Sequence, residues 1–155
     1  MDTLATALAC HCTTIRLETG APTCFIDLTD RLERFIEGTE IQVGLMTVQT
    51  RHTTTAIVIN EHEPQLLTDF GLLLDRAAPR NAGYHHDNLA LRHDVPPDEP
   101  QNGHAHCRAL LLPTAASVNV VRGRMTLGRW QRVFLVELDG PREREVSIFA
   151  IGSTV

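Results

Sequence analysis

Five of the chain's eight histidines fall within residues 84–108, YHHDNLALRHDVPPDEPQNGHAHCR, beside Asp87, Asp94, Asp98 and Glu99. Neutral imidazole is a common ligand for zinc, nickel or iron(II), and it also carries protons near neutral pH. The close pairs are His85-His86 and His104-x-His106. Residues two apart share a face on a strand and nearly oppose on a helix, so His104 and His106 act together only if that segment is extended. The spacing matches no standard zinc motif such as HExxH. The alternative is a set of loop histidines hydrogen-bonded to the neighbouring carboxylates.

Other candidates stand at strand ends. His52 lies in RHTTT after one predicted strand, and Asn60-Glu61 closes the next. Trp130, the chain's one tryptophan, opens a further strand with Gln131, where it reads as core, interface or ligand platform and Gln131 as a residue able to fix a polar ligand. Glu137 shares a strand face with Gln131, Val133 and Leu135; turned inward, its carboxylate needs a partner, and without one its pKa would rise.

The elements that must hold these residues follow from periodicity. Residues 10–19 suit a strand broken by Gly20-Ala21-Pro22. Leu28, Leu32, Phe35 and Ile36 then fall on one helical face, with Thr29 as cap and Gly38 as stop. Residues 41–50 and 54–60 read as strands, the second more deeply buried, and the short Arg51-His52-Thr53 link predicts an antiparallel hairpin. Pro64 starts a helix whose apolar face is Leu66, Phe70, Leu73, Leu74 and Ala77, with Asp69 on its flank, and Pro79 ends it.

Beyond the polar stretch, residues 105–112 predict a short helix stopped by Pro113. Residues 117–122 and 125–127 predict a hairpin turning at Gly123. Residues 131–138 and 145–151 predict two more strands around Asp139-Gly140-Pro141. Six to eight strands with two or three non-alternating helices imply one α+β domain over residues 1–155. Its sheet is expected to be largely antiparallel and sandwich-like.

Composition bounds the partners. A net charge of -5 argues against a general nucleic-acid surface. The absence of a long apolar run argues against a membrane span, and the N-terminus lacks a basic leader, so the expectation is a cytoplasmic protein. Every basic residue is Arg, which reflects either genome composition or bidentate binding of phosphate and carboxylate. Cys10, Cys12, Cys24 and Cys107 form no CxxC pair and read as free thiols, although Cys10 and Cys12 would share a strand face able to hold a soft metal.

Several of these motifs occur together in one family. GLMTVQTRHTTTAIVINEHEP, Tyr84-x-His86-Asp87, Asn102-Gly103-His104-Ala105-His106, the run RGRMTLGRWQ over residues 122–131, and Glu137-x-Asp139-Gly140-Pro141-Arg142 resemble, in order, the YjbQ-like family. Its members are described as secondary thiamine-phosphate synthases. The resemblance implies a compact α+β fold with a β-sandwich-like core, commonly a homotrimer. It also implies a polar site on His52, Asn60, Glu61, His86, Asn102, His106, Trp130 and Gln131. Arg129 stands where the family usually has a small residue, and Cys107 where it usually has an aliphatic one.

The activity so implied joins hydroxymethylpyrimidine diphosphate to thiazole phosphate and releases pyrophosphate. Such a transferase must stabilise charge on the leaving group, a task for a divalent ion or for arginines such as Arg51, Arg92, Arg108 or Arg124. Magnesium would come with the pyrophosphate, whereas His52, His86 and His106 would favour zinc or a similar metal. Two other expectations remain open. One is a His-ligated metal-dependent hydrolase or lyase, and the other is a non-enzymatic trimer that binds a small phosphorylated metabolite.

Overall fold

The computed structural model describes residues 8–154, so residues 1–7, where a leader was looked for, lie outside the described residues. Eight strands and three α-helices follow in the order β1 (Leu8–Glu18), β2 (Cys24–Asp27), α1 (Thr29–Glu37), β3 (Val43–Thr50), β4 (Thr55–Glu61), α2 (Pro64–Ala77), α3 (Gly103–Leu110), β5 (Ala115–Val121), β6 (Arg124–Met125), β7 (Gln131–Glu137) and β8 (Glu143–Ser153). They form an α+β fold with two antiparallel sheets, ordered β1-β8-β3-β5-β6 and β2-β7-β4.

The sheets face each other across one core. Met46, Val48, Val118, Val120, Val146, Ile148 and Ala150 come from the larger sheet and Ile57, Val133 and Leu135 from the smaller, with Leu28, Leu32 and Ile36 of the α1 segment filling the side. Burying one such side chain is worth about 1.5–3 kcal/mol. The other face of the small sheet is covered as well: Ala56 and Val136 pack under Leu74 of α2 and Ala105 and Ala109 of α3. β4 and β7 are thus buried on both faces, which is why both read as unbroken apolar runs.

Four expectations change. β3 and β4 are not a hairpin: β3 pairs with β5 and β8, whereas β4 pairs with β7 in the other sheet. Three residues suffice to step between packed sheets, and His52 sits on that step. Thr29 does not cap α1. Its hydroxyl accepts from Val133 N at 2.9 Å, and Asp27 Oδ1 takes the Thr29 N–H instead. α2 is capped by Glu63, which accepts from Gln65 N and Leu66 N, and it buries Leu74 while leaving Leu73 and Ala77 exposed because the sheet beneath it is narrow. Finally, α3 begins at Gly103, so the polar loop ends there.

The turn at Arg122-Gly123 is as expected, with φ of 55° and 72° and β5 pairing with β6 across it. Asp69 is exposed. The four cysteines are free, and Cys10 and Cys12 lie exposed on the edge strand β1. No helix among the described residues is long and apolar enough to cross a membrane.

Candidate functional site

His52 is fixed by its backbone and its ring. Its N–H donates to Thr50 Oγ1, its carbonyl accepts from Thr55 Oγ1, and the buried Thr50 and Thr55 hydroxyls bond each other. The step between the sheets is therefore rigid. Glu145 N of β8 donates to His52 Nε2 at 2.8 Å, so the neutral ring carries its proton on Nδ1. Burial pushes the His52 pKa down and the Arg144 charge lowers it further, which favours that neutral form.

The polar loop reaches the same end of the small sheet. Gly103 opens α3 under Tyr84, where a Cβ would collide with the Tyr84 Cβ, and its N–H donates to Asp87 Oδ1 at 2.8 Å. Glycine thus lets the loop close onto the helix. Because the segment is helical, His104 and His106 diverge. His104 is 2% exposed and packs beside Tyr84, whereas His106 meets His86 with ring centroids 4.7 Å apart. Burial, reinforced by His86, holds the His106 pKa low.

A chain of bonds orients His86. Arg142 pairs with Asp139 Oδ2 at 2.8 Å, and Asn102 Nδ2 donates to the same oxygen at 2.7 Å. The Asn102 amide oxygen then faces His86 Nε2 at 3.1 Å. His86 consequently donates from Nε2. Arg92 braces the loop, donating to His86 O at 3.2 Å and pairing with Glu99 at 2.7 Å.

These groups border one cleft of about 510 Å³. Arg51, Arg92, Arg142 and Arg144 converge on it, each paired with a carboxylate, Glu145, Glu99, Asp139 and Glu137 in turn. Arg144 is itself anchored from within. Glu137, fully buried, receives Arg144 on both oxygens at 2.6 Å, the Thr19 hydroxyl, and the N–H groups of Leu138 and Asp139. Burial would raise the Glu137 pKa, but these donors, Arg144 foremost, bring it below the ordinary value. Glu137 is thus a partnered anchor and no free acid. Among the described residues, no three His, Cys, Asp or Glu side chains stand together as a metal-holding group, so His52, His86 and His106 share the cleft without forming such a group.

The remaining expected site residues lie at the opposite end of the same sheet. β4 runs from Thr55, opposite Glu137, to Glu61, opposite Gln131, a span of about 20 Å at the usual rise. There Asn60 Oδ1 accepts from Glu61 N, Gln131 Oε1 accepts from Gly128 N at 2.7 Å, and Trp130 is 61% exposed with Arg129 stacked 4.7 Å from its ring centroid. Nearby, Arg132 pairs with Asp27 and Asp30, and His62 bonds Asp27. Burial works against the Asp27 charge, but hydrogen bonds from Thr29, Arg132 and His62 outweigh it and set the pKa at about 2.

Of the four arginines expected to supply cations, Arg51 and Arg92 reach the cleft. Arg108 does not, being buried against Asp75 and Ala78 O, and Arg124 lies beside Glu33 and Glu37 under α1. Sequence reasoning did not name Arg142, Arg144, Asp139 or Glu99 as site residues. The signal for three of them was the clustering of charge around the Asp139-Gly140-Pro141 turn.

The model of the family described as UPF0047 protein YjbQ-like matches residues 13–153. A UPF0047 protein of Archaeoglobus fulgidus is 39% identical over 137 residues, which cover 88% of this chain and 98% of that relative. One from Methanothermobacter thermautotrophicus is 36% identical over 136 residues, covering 88% of each chain. Among solved structures, a YbjQ-like protein of unknown function from Sulfolobus solfataricus P2 superposes with a TM-score of 0.85 at 31% identity, over 95% of this chain and 100% of its own. A hypothetical protein from Aeropyrum pernix K1 gives 0.81 at 31% identity, over 92% and 99%.

Proposed function

The chain belongs to the YjbQ-like UPF0047 family, and on that premise we propose that it is a transferase of the thiamine-phosphate synthase type acting on small phosphorylated metabolites. The reaction joins hydroxymethylpyrimidine diphosphate to thiazole phosphate and releases pyrophosphate. The observation that supports this reading is the convergence of four guanidinium groups, three of them partly exposed, on the His52 cleft.

In such a reaction the thiazole nitrogen attacks the exocyclic carbon as the carbon–oxygen bond to pyrophosphate breaks, so the barrier lies in the charge that develops on the leaving oxygen. Arg51 and Arg142 hold phosphate oxygens in the fork geometry suited to them. His52 Nδ1–H donates to one more, because its Nε2 is occupied by Glu145 N–H. His86, with Nε2 held by Asn102, and the neutral His106 line the wall opposite.

A resident metal does not fit the residues as they stand. The carboxylates of the cleft are engaged, Glu99 by Arg92 and Asp139 by Arg142 and Asn102, and no step here runs through an ion. The homotrimer is part of the same proposal. Its support is the outward face of the large sheet, where Val43, Leu45, Val121 and Phe149 stand exposed together. Light scattering should give three times the 17.2 kDa of one chain, and a monomer would contradict it. For the activity, purified protein given both substrates should form thiamine phosphate, with turnover at least tenfold lower in His52→Ala and His86→Ala. Equal turnover in both variants would overturn the reading.

A further inference from the structure

Glu145 of β8 touches both His52 and Arg51, yet it stands outside the lining of their cleft, as does Arg16 of β1. The Glu145 N–H donates to His52 Nε2 at 2.8 Å, its Oε2 accepts from Arg51 Nη1 at 2.9 Å, and its Oε1 accepts from Arg16 Nε at 2.9 Å. The backbone builds this row. Arg16 and Glu145 are cross-strand partners in the β1–β8 ladder, and Arg51 stands one residue past the Thr50–Val146 pair that closes the β3–β8 ladder, its N–H donating to Glu145 O at 3.4 Å. Three strands thus bring Arg16, Glu145 and Arg51 into line, with one carboxylate between two guanidinium groups. The two are not equivalent: the Arg16 hydrogen bond does most to hold the Glu145 carboxyl below its ordinary range.

We propose that Glu145 is a positioning residue for the anion in the cleft, holding His52 through its N–H and Arg51 through its carboxylate, and that Arg16 sets how much of the Arg51 charge reaches that anion. The inference rests on the reading above that the arginine cleft takes phosphate, and it adds how that site is tuned from outside its own walls. An Arg51–Glu145 pair alone would be neutral. With Arg16 on the other carboxylate oxygen the row carries a net positive charge, and Arg51, which gives only an Nη1–H to Glu145, keeps its remaining N–H groups for phosphate oxygens. Removing Arg16 frees Oε1 to turn toward Arg51, where a second hydrogen bond from the same fork competes with the anion. Arg16 therefore acts on the cleft through Glu145 and not by touching the ligand.

Two strand spacings put Arg16 about 10 Å from Arg51, beyond the Debye length of about 8 Å at 0.15 M salt, so its direct field on an anion is largely screened there. The test is calorimetric titration of inorganic pyrophosphate at that ionic strength into the wild type, Arg16→Gln, Arg16→Lys, Glu145→Gln and the Arg16→Gln, Glu145→Gln double variant. Arg16 is 82% exposed, so its variants should keep the wild-type unfolding midpoint. Arg16→Gln should weaken binding about threefold, the effect of one exposed ion pair, and Arg16→Lys should bind within about 1.5-fold of wild type. In the Glu145→Gln background the further Arg16→Gln change should shift affinity by less than about 1.5-fold, because the group that connects Arg16 to Arg51 is gone. Unchanged affinity in Arg16→Gln, failure of Arg16→Lys to retain it, or an Arg16→Gln effect of equal size in both backgrounds would overturn the positioning role alone. Failure of pyrophosphate to bind the wild type would instead overturn the reading of the arginine cleft, and the positioning role with it.

Discussion

The two ends of the small sheet carry similar residue types and use them differently. At the Gln131–Glu61 end, Arg132 is held by Asp27 and Asp30, Glu63 caps α2, and Gln131 closes its own turn, so the polar groups are largely committed to structure. At the Thr55–Glu137 end Arg144 is locked to a buried carboxylate, while Arg51, Arg92 and Arg142, paired with Glu145, Glu99 and Asp139, stay partly exposed and converge on one cleft. Residue type alone does not mark a site. What marks the His52 end is that three paired but partly exposed guanidinium groups converge on one cleft, where an anion can share them.

The comparison can be broken by unfolding measurements. The largest effect is expected for Glu137→Gln, which leaves Arg144, 5% exposed, without its charged partner. Loss of one member of a buried pair costs about 3–5 kcal/mol by denaturant unfolding. Asp27→Asn at the other end should cost less. The Asp27 pKa is depressed from 3.8 to about 2, so its contribution is full above pH 4 and lost as pH falls toward 2. It amounts to about 2 kcal/mol. The variant should therefore lose that much at neutral pH and show a flatter acid limb. If Asp27→Asn cost more than Glu137→Gln, the anchoring assigned to the cleft end would be wrong. The smallest effect sharpens the contrast: Trp130 is the chain's one tryptophan and sits at the far end of the sheet, so saturating phosphate should leave its emission maximum unchanged.

Much of the fold was legible because it rests on periodicity. The doubly buried β4 and β7, the helix from Pro64 and the turn at Gly123 all announce themselves locally. Partner choice does not. Arg51-His52-Thr53 is as short as a hairpin turn, yet it crosses between sheets, since nothing in those residues specifies which strand lies beside β4. The site was legible in part for the same reason. His86 and His106 could be favoured over His85 and His104 on the resemblance, and the helical start of α3 gives the geometric cause: it turns His104 into the core and His106 toward His86. Arg142 and Arg144 were missed as site residues because their side chains act across the turn, on Asp139 and Glu137, and only the folded chain shows that both pairs border the cleft.

The most direct test of the anion cleft is a calorimetric titration of inorganic pyrophosphate into the wild-type protein and into the Arg51→Gln, Arg142→Gln double variant. Both side chains are solvent-exposed, 59% and 41%, so folding should survive the change. Saturable binding of one pyrophosphate per chain, weakened at least tenfold in the variant at an unchanged unfolding midpoint, is the predicted result. Absence of saturable binding to the wild type, or equal affinity in the variant, would contradict the claim that this end of the sheet is built to hold phosphate.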